Sequence, residues 1–350
     1  MSHSRQSDIF NNNFILWKVF GLWSGRKPNK NYKYYSCVYL VITLLMYNIL
    51  LTLNLVFTPR KIEYLIREVI FYFTEITVTS KVFMIIIMRD KILQAFNLMD
   101  GKDLEGDDET SRKIIERNNA NFSIYWKLFA AMSHMAYSSQ VIIPIVIHFI
   151  FRTELELPIC KYYFLTDDLR DDYFIYWFIY QSWGMYGHMI YNVTVDSFTA
   201  GLLYTAITQL RILNAKLINM KLSDQEKKLS LDVQEKIQMT RLRNCLTRYD
   251  VVLRYCDIVQ DILNITMFIV FGISALIICV VLCGLLLSTQ LVFAAYCTEW
   301  IPRSESFKRS IRVFVGRANK PIQMIGLKMF PLSLSTFTSV IVILSLVFTL

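Results

Sequence analysis

Thirty-seven consecutive residues, Ile262 to Thr298, carry no charged side chain. At ~1.5 Å of rise per residue, about twenty helical residues cross a hydrocarbon core of roughly 30 Å. A run this long and apolar belongs in a bilayer. The chain closes on a second uncharged stretch of twenty residues, Pro331 to Leu350. Lipid offers no partner to a backbone N–H or C=O, so each span must satisfy its own as helix. Together the two runs predict an all-α polytopic membrane protein. Composition agrees, with 54% hydrophobic residues and a mean hydropathy of +0.38, too apolar for a soluble domain of this length. The net charge of +9 comes from cations placed between apolar segments, with no separate basic, aromatic-interleaved domain. It reads as membrane flanks and excludes a nucleic-acid partner.

Six hydrophobic spans follow in order. Residues 1–36 are polar and basic, with Phe14, Ile15, Trp17, Val19 and Phe20 suggesting a short helix on the inner membrane surface. The first span covers Cys37 to Phe57 and the second covers Ile66 to Met88, which contains Arg67, Glu68, Glu75 and Lys81. Ionisable groups at membrane depth face a bundle interior or an aqueous cavity. Glu75 and Lys81 are poorly spaced to pair on one helix, so each is expected to find another partner. Residues 89–121 read as a solvated loop whose acids lack the spacing of a calcium-binding loop.

The third span, Asn121 to Phe151, holds Tyr137, Ser138, Pro144 and two histidines without carboxylate or thiol neighbours at metal-ligand spacing. Pro144 predicts a kink, and the polar side chains fit either a cavity wall or ordinary packing. The fourth span begins at Tyr173 and is crowded with aromatics as far as Trp183 and Tyr186, beside Gly184 and Gly187. An interfacial belt explains the first few. The deeper ones fit either the wall of an apolar ligand site or tight helix packing around the glycines.

Residues 209–261 extend the bundle as polar helix with a Leu210, Leu213, Leu217, Met220 stripe. They suit a subunit contact or a free amphipathic hairpin. Ile262–Thr298 supplies the fifth span. Residues 303–319 form an amphipathic helix that Ser304 or Ser306 caps.

Lysine and arginine assign the sides. Alternate loops collect twenty-two against five, which places the N-terminus in the cytoplasm. If Ile262–Thr298 crosses once, the seven cations of 299–330 fall outside. A hairpin breaking near Gly284 or Ser288 would return them, although Leu285 to Thr298 is only fourteen residues. The domains are therefore a cytoplasmic segment 1–36, a bundle 37–298 with its extension at 209–261, a cytoplasmic anchor region 299–330 and a terminal helix 331–350. Of seven cysteines only Cys160 lies in an outer loop, so no disulfide framework follows. No phosphate loop, metal cluster or nucleophile elbow is present, which argues against an enzyme.

Three stretches carry a resemblance. One combines Lys320-Pro321, Gly326 and Pro331-Leu-Ser-Leu-Ser-Thr-Phe-Thr-Ser-Val340. The others are Ala294-Ala-Tyr-Cys-Thr-Glu-Trp300 and Arg248-Tyr-Asp-Val-Val-Leu-Arg-Tyr-Cys-Asp-Ile-Val-Gln260. Together they resemble the insect odorant receptors, with a departure at Leu346-Val347-Phe348, where that family has Ser-Tyr-Phe. The resemblance implies a seven-helix architecture with a cytoplasmic N-terminus, here with the sixth helix shortened or missing.

It also implies an odorant-tuning subunit of a ligand-gated, non-selective cation channel. Such a subunit forms a heterotetramer with a shared co-receptor in the plasma membrane of olfactory sensory neuron dendrites, and it needs no cofactor. A small volatile odorant would sit in an aromatic cavity toward the outer half of spans two to four. Phe71, Phe73, Tyr137, Ser138, Trp177, Tyr180 and Trp183 are the expected pocket residues. On the last helix, Thr336, Val340 and Leu344 recur at i, i+4 and i+8 and are the expected pore face. A metabotropic chemoreceptor would need an outside N-terminus and a charged triplet in place of Phe151-Arg152-Thr153. A transporter would need internal repeats. A receptor variant inactivated by loss of most of the sixth helix is the remaining alternative.

Overall fold

A computed structural model describes residues 6–23, 30–106, 108–297 and 300–318, together with the backbone of 324–326 and 330–332. The terminal helix, and with it Thr336, Val340 and Leu344, lies outside the described residues.

Eleven α-helices are described. They are α1 (Asn11–Val19), α2 (Lys30–Leu40), α3 (Met46–Phe57), α4 (Ile62–Ile87), α5 (Arg89–Met99), α6 (Glu109–Gln140), α7 (Ile142–Phe151), α8 (Asp167–Asp172), α9 (Phe174–Ile218), α10 (Leu231–Cys297) and α11 (Glu305–Ala318). A π-helical turn at Val41–Leu45 joins α2 to α3, making one run long enough to cross a membrane. Two three-residue strands, β1 (Met324–Gly326) and β2 (Phe330–Leu332), pair antiparallel with Ile325 opposite Pro331.

Among the described residues four helical runs are long and apolar enough to span: Lys30–Phe57, Tyr64–Ile87, Glu109–Phe151 and Leu231–Leu282. The expected fourth span is one unbroken 45-residue helix, α9. It falls outside that group because half-polar tyrosine and tryptophan fill its first turns and Gln181, His188, Asn192 and Asp196 follow further along. The third span breaks at Val141 between α6 and α7. Pro144 lies three residues on, where its ring crowds the carbonyl one turn back.

Three expectations change. Residues 89–121 are not one solvated loop: α5 occupies the first part, and Ile92, Ala95, Phe96 and Met99 bury one helical face. The N-terminal segment is packed into its unit on one face, with Phe10, Asn13 and Trp17 fully buried while Ile15 and Val19 stay exposed. Finally, α10 runs unbroken for 67 residues, about 100 Å. The helix passes through Gly284 and Ser288 without a turn, because nothing there interrupts the i→i−4 ladder.

The chain divides into two compact units. One comprises 1–45, 78–133 and 187–269, the other 46–77, 134–186 and 270–350. In the first, α1 is locked into its unit by side-chain hydrogen bonds. Asn13 Nδ2 donates to Thr194 O at 2.6 Å and to Ser197 Oγ at 2.9 Å. Its Oδ1 accepts from Trp126 Nε1 at 3.0 Å, and Trp17 Nε1 donates to Thr194 Oγ1 at 2.9 Å. Phe10 packs so closely over α9 that a Cβ on Gly201 would lie 2.4 Å from its ring.

Lys81 meets Asp196 at 2.7 Å and Asn192 at 2.7 Å, the cross-helix pairing that intramembrane charge requires. Arg248 is 4% exposed. Its guanidinium donates to the carbonyls of Leu104 and Glu105 and to Gln209 Oε1, clamping the connection between α5 and α6.

Candidate ligand site

The second unit is built around an apolar, aromatic cluster. Tyr47 and Leu51 of α3 are buried with Leu157, Ile159, Cys160 and Tyr162, which belong to the segment between α7 and α8. Half-buried Phe71, Phe164, Trp177, Phe178, Tyr180 and Met185 pack against them. The Tyr162 ring stands edge-on to Trp177, with centroids 5.4 Å apart at 80°, and Tyr47 lies 6.0 Å from Tyr180. Such tilted pairs suit the quadrupoles of aromatic rings. Gly184 lets Tyr47 approach, since a Cβ there would fall 2.3 Å from its Cε2.

Two amide side chains hold the connecting segment over these rings. Gln181, 1% exposed, accepts from the amides of Ile159 (3.1 Å) and Cys160 (3.4 Å) and donates to Cys160 O at 2.9 Å. Asn54 Oδ1 accepts from Tyr163 N at 3.0 Å, while its Nδ2 donates to Glu68 Oε2 at 2.8 Å. Glu68 is itself paired to Arg67 at 3.0 Å. A segment with no regular structure must find partners for its backbone, and a polar residue from each of two helices supplies them. The segment turns at Tyr162, which adopts φ of 50°, a left-handed conformation uncommon outside glycine. Burial pushes the Cys160 thiol and the Tyr162 phenol well above their usual ranges. Both are neutral at physiological pH, and the thiol is no nucleophile.

Of the residues expected to line a pocket, the cluster gathers Phe71, Trp177 and Tyr180. Phe73 is half-buried beside Tyr72, 5.7 Å ring to ring. Tyr137 faces a different group: its hydroxyl donates to Ser182 O at 3.3 Å and its ring lies 5.3 Å from Tyr186. Ser138 is half-buried next to it in sequence. Trp183 is 56% exposed and takes no part in the cluster.

Sequence reasoning missed Tyr47 and the whole 157–165 segment. The signal was present in Leu157-Pro-Ile-Cys-Lys-Tyr-Tyr-Phe-Leu165, a run too apolar for a solvated loop. Gln181, a lone amide amid aromatics, was its counterpart.

Within this cluster Trp177 Nε1 is buried with no hydrogen-bond partner among the described residues, and so is Ser182 Oγ in the neighbouring group. The first unit holds a cavity of different chemistry. Its volume is about 540 Å³, and its lining includes Asp103, Asp108, Lys216, Asn219, Arg241 and Arg248. Burial there opposes ionisation of Asp108, but hydrogen bonds from the Ser111 hydroxyl and amide, with Lys216 nearby, hold its carboxyl below the usual range.

The profile of the family described as 7tm Odorant receptor matches residues 61–293 and 285–343. The structure is similar to that of the insect olfactory receptor OR5 from Machilis hrabei. That comparison gives a TM-score of 0.63 and 15% sequence identity, covering 98% of this chain and 97% of that one. The same receptor in complex with eugenol aligns with a TM-score of 0.58 at 16% identity, over 95% and 94% of the two chains. At such identity the likeness is one of fold. No curated protein sequence matches the chain.

Proposed function

Because this chain belongs to the 7tm Odorant receptor family, we propose that it is an odorant-tuning subunit of a ligand-gated, non-selective cation channel. In this reading it assembles with a co-receptor into a heterotetramer in the plasma membrane of olfactory neuron dendrites. The observation that carries the ligand half of the reading is the aromatic cluster of the second unit. It is an apolar site with few polar groups, as a small volatile molecule needs. The eugenol complex of the Machilis receptor shows that a protein of similar fold holds such a molecule. Positive-inside counting supports a cytoplasmic N-terminus.

Phe71, Trp177 and Tyr180 would contact the odorant, with Phe73, Tyr137 and Ser138 beyond them. Ligand burial would favour a state in which the terminal helices separate, with Thr336, Val340 and Leu344 facing the pore. A ligand shifts such an equilibrium only by its difference in affinity for the two states.

The test is co-expression with a co-receptor in oocytes, recording current while a panel of volatiles is applied. An odorant-evoked cation current that disappears in the Trp177→Ala, Tyr180→Ala double variant supports channel and pocket together. A surface-expressed complex that is silent to every volatile counts against them.

A second reading rests on a specific observation. The family profile matches in two segments that overlap at 285–293, and α10 continues without a turn to Cys297. Both fit a chain in which most of the sixth helix is missing, and such a chain need not conduct. Restoring a full sixth helix after Gly284 should then switch on a current that the native chain lacks.

A further inference from the structure

The polar groups around the aromatic cluster are almost all committed. Gln181 spends its amide on the backbone of Ile159 and Cys160, and Asn54 spends its own on Tyr163 and Glu68. Among the side-chain N–H donors of the cluster and its amide supports, one stands apart. Trp177 Nε1 is buried and has no acceptor among the described residues. An indole nitrogen is a donor and nothing else, so only an acceptor atom can satisfy it. A buried donor left unanswered costs more than a made hydrogen bond returns.

The neighbours of Trp177 set the rest of the recognition. The Tyr162 ring lies 5.4 Å away, and Phe164, Phe174 and Phe178 belong to the same cluster. The charged groups beside the cluster are Glu75, near Tyr47, and Glu68, near Cys160 and already paired to Arg67, so a carboxylate or phosphate brought there would meet an excess of negative charge and pay for its desolvation as well. What fits is a small, mostly apolar molecule carrying one neutral acceptor oxygen.

We propose that Trp177 is the specificity-determining residue of the odorant site, its Nε1–H donating to the oxygen of a ketone, ester or ether. It would thereby discriminate such odorants from hydrocarbons of the same shape. The inference rests on the function proposed above and adds to it the chemical class of the ligand.

Matched pairs provide the test: 2-heptanone against 2-methyl-1-heptene, and anisole against ethylbenzene. Each pair is applied to the full chain with co-receptor, and binding is followed separately on the purified complex by displacement of a fluorescent apolar probe. Wild type is expected to respond to the oxygenated member at concentrations about tenfold lower, the worth of one neutral hydrogen bond. Trp177→Phe keeps an aromatic ring and removes the N–H. It should abolish that ratio while leaving the hydrocarbon's half-maximal concentration within about twofold. Tyr176→Phe, at a residue 70% exposed, should leave the ratio intact.

If odorants bind and Trp177→Phe shifts both members of each pair equally, or leaves the ratio unchanged, the donor role is overturned while odorant binding stands. If no volatile displaces the probe or evokes current, the proposed function fails, and this inference fails with it.

Discussion

Two polar networks, one in each unit, handle buried polar atoms in different ways. In the first, every atom of the Asn13 amide is answered, Trp17 and Trp126 both donate, and Lys81 meets a carboxylate. In the second, the polar partners converge on one irregular segment, and Trp177 Nε1 goes without. A fully satisfied network rigidifies and specifies one packing. A cluster with an open donor is less stable and better suited to accept something. The contrast separates a region built to hold its shape from one built to respond.

The sharpest way to break the contrast is at Asn13. Asn13→Leu would strand Trp126 Nε1 and remove the hydrogen bonds to Thr194 and Ser197. With each buried group left unpaired costing about 1–3 kcal/mol, the expected total is roughly 3–5 kcal/mol. Thermal unfolding of the purified chain in nanodiscs, together with surface delivery, measures it.

Next comes the close packing at glycine. Gly201→Val and Gly184→Val drive new carbon atoms into Phe10 and Tyr47, and overpacking costs about 1–3 kcal/mol. The first should lower stability without altering ligand preference in the receptors that survive. The second should alter both. Equal behaviour of the two would erase the distinction between the units.

Gln181→Leu is expected to cost less in global stability and more locally. It removes the acceptor of the Ile159 and Cys160 amides, freeing the 157–165 segment. Cys160, 1% exposed in the native fold, should then react with a neutral maleimide about tenfold faster or more, as local opening predicts. Unchanged labelling would show that Gln181 does not hold the segment.

The smallest effect concerns acid. The carboxyl of Asp108 is held below its ordinary value, so its contribution to stability is complete above the unfolded-state value, near pH 4, and is lost as pH falls through the depressed folded value. Its side chain is 46% exposed, which limits the contribution to about 0.5 kcal/mol. Asp108→Asn should lower the melting temperature slightly at pH 7, by an amount that shrinks as the pH falls below 4.

Some of this was legible from the residues and some was not, and particular positions show why. Pro144 announced the break at Val141, and the amphipathic stripe at 303–319 became α11 with Ser304 Oγ accepting the Phe307 amide at 3.4 Å. Both are local: ring geometry and helical periodicity act within a few residues. Aromatic type alone pointed to Phe71, Trp177 and Tyr180, which the structure gathers in one cluster, and equally to Trp183, which is 56% exposed. On a helix, six residues separate 177 from 183, and only packing decides which side faces inward. The burial of α1 was invisible because its partners Thr194 and Ser197 lie some 180 positions along the chain.

The residues alone are enough to make this a helical, multi-pass membrane chain and, through its C-terminal motifs, to point to its family. Long uncharged runs permit no other way to satisfy a backbone in lipid. That α10 continues through Gly284 emerges with the folded molecule. The tertiary structure alone brought an irregular segment, 157–165, to complete the aromatic cluster, and left Trp177 with an unused donor. Those outcomes depend on contacts between residues distant in the chain, where the choice among packings rests on shape and on which polar atoms find partners. Hydropathy, summed residue by residue, carries neither.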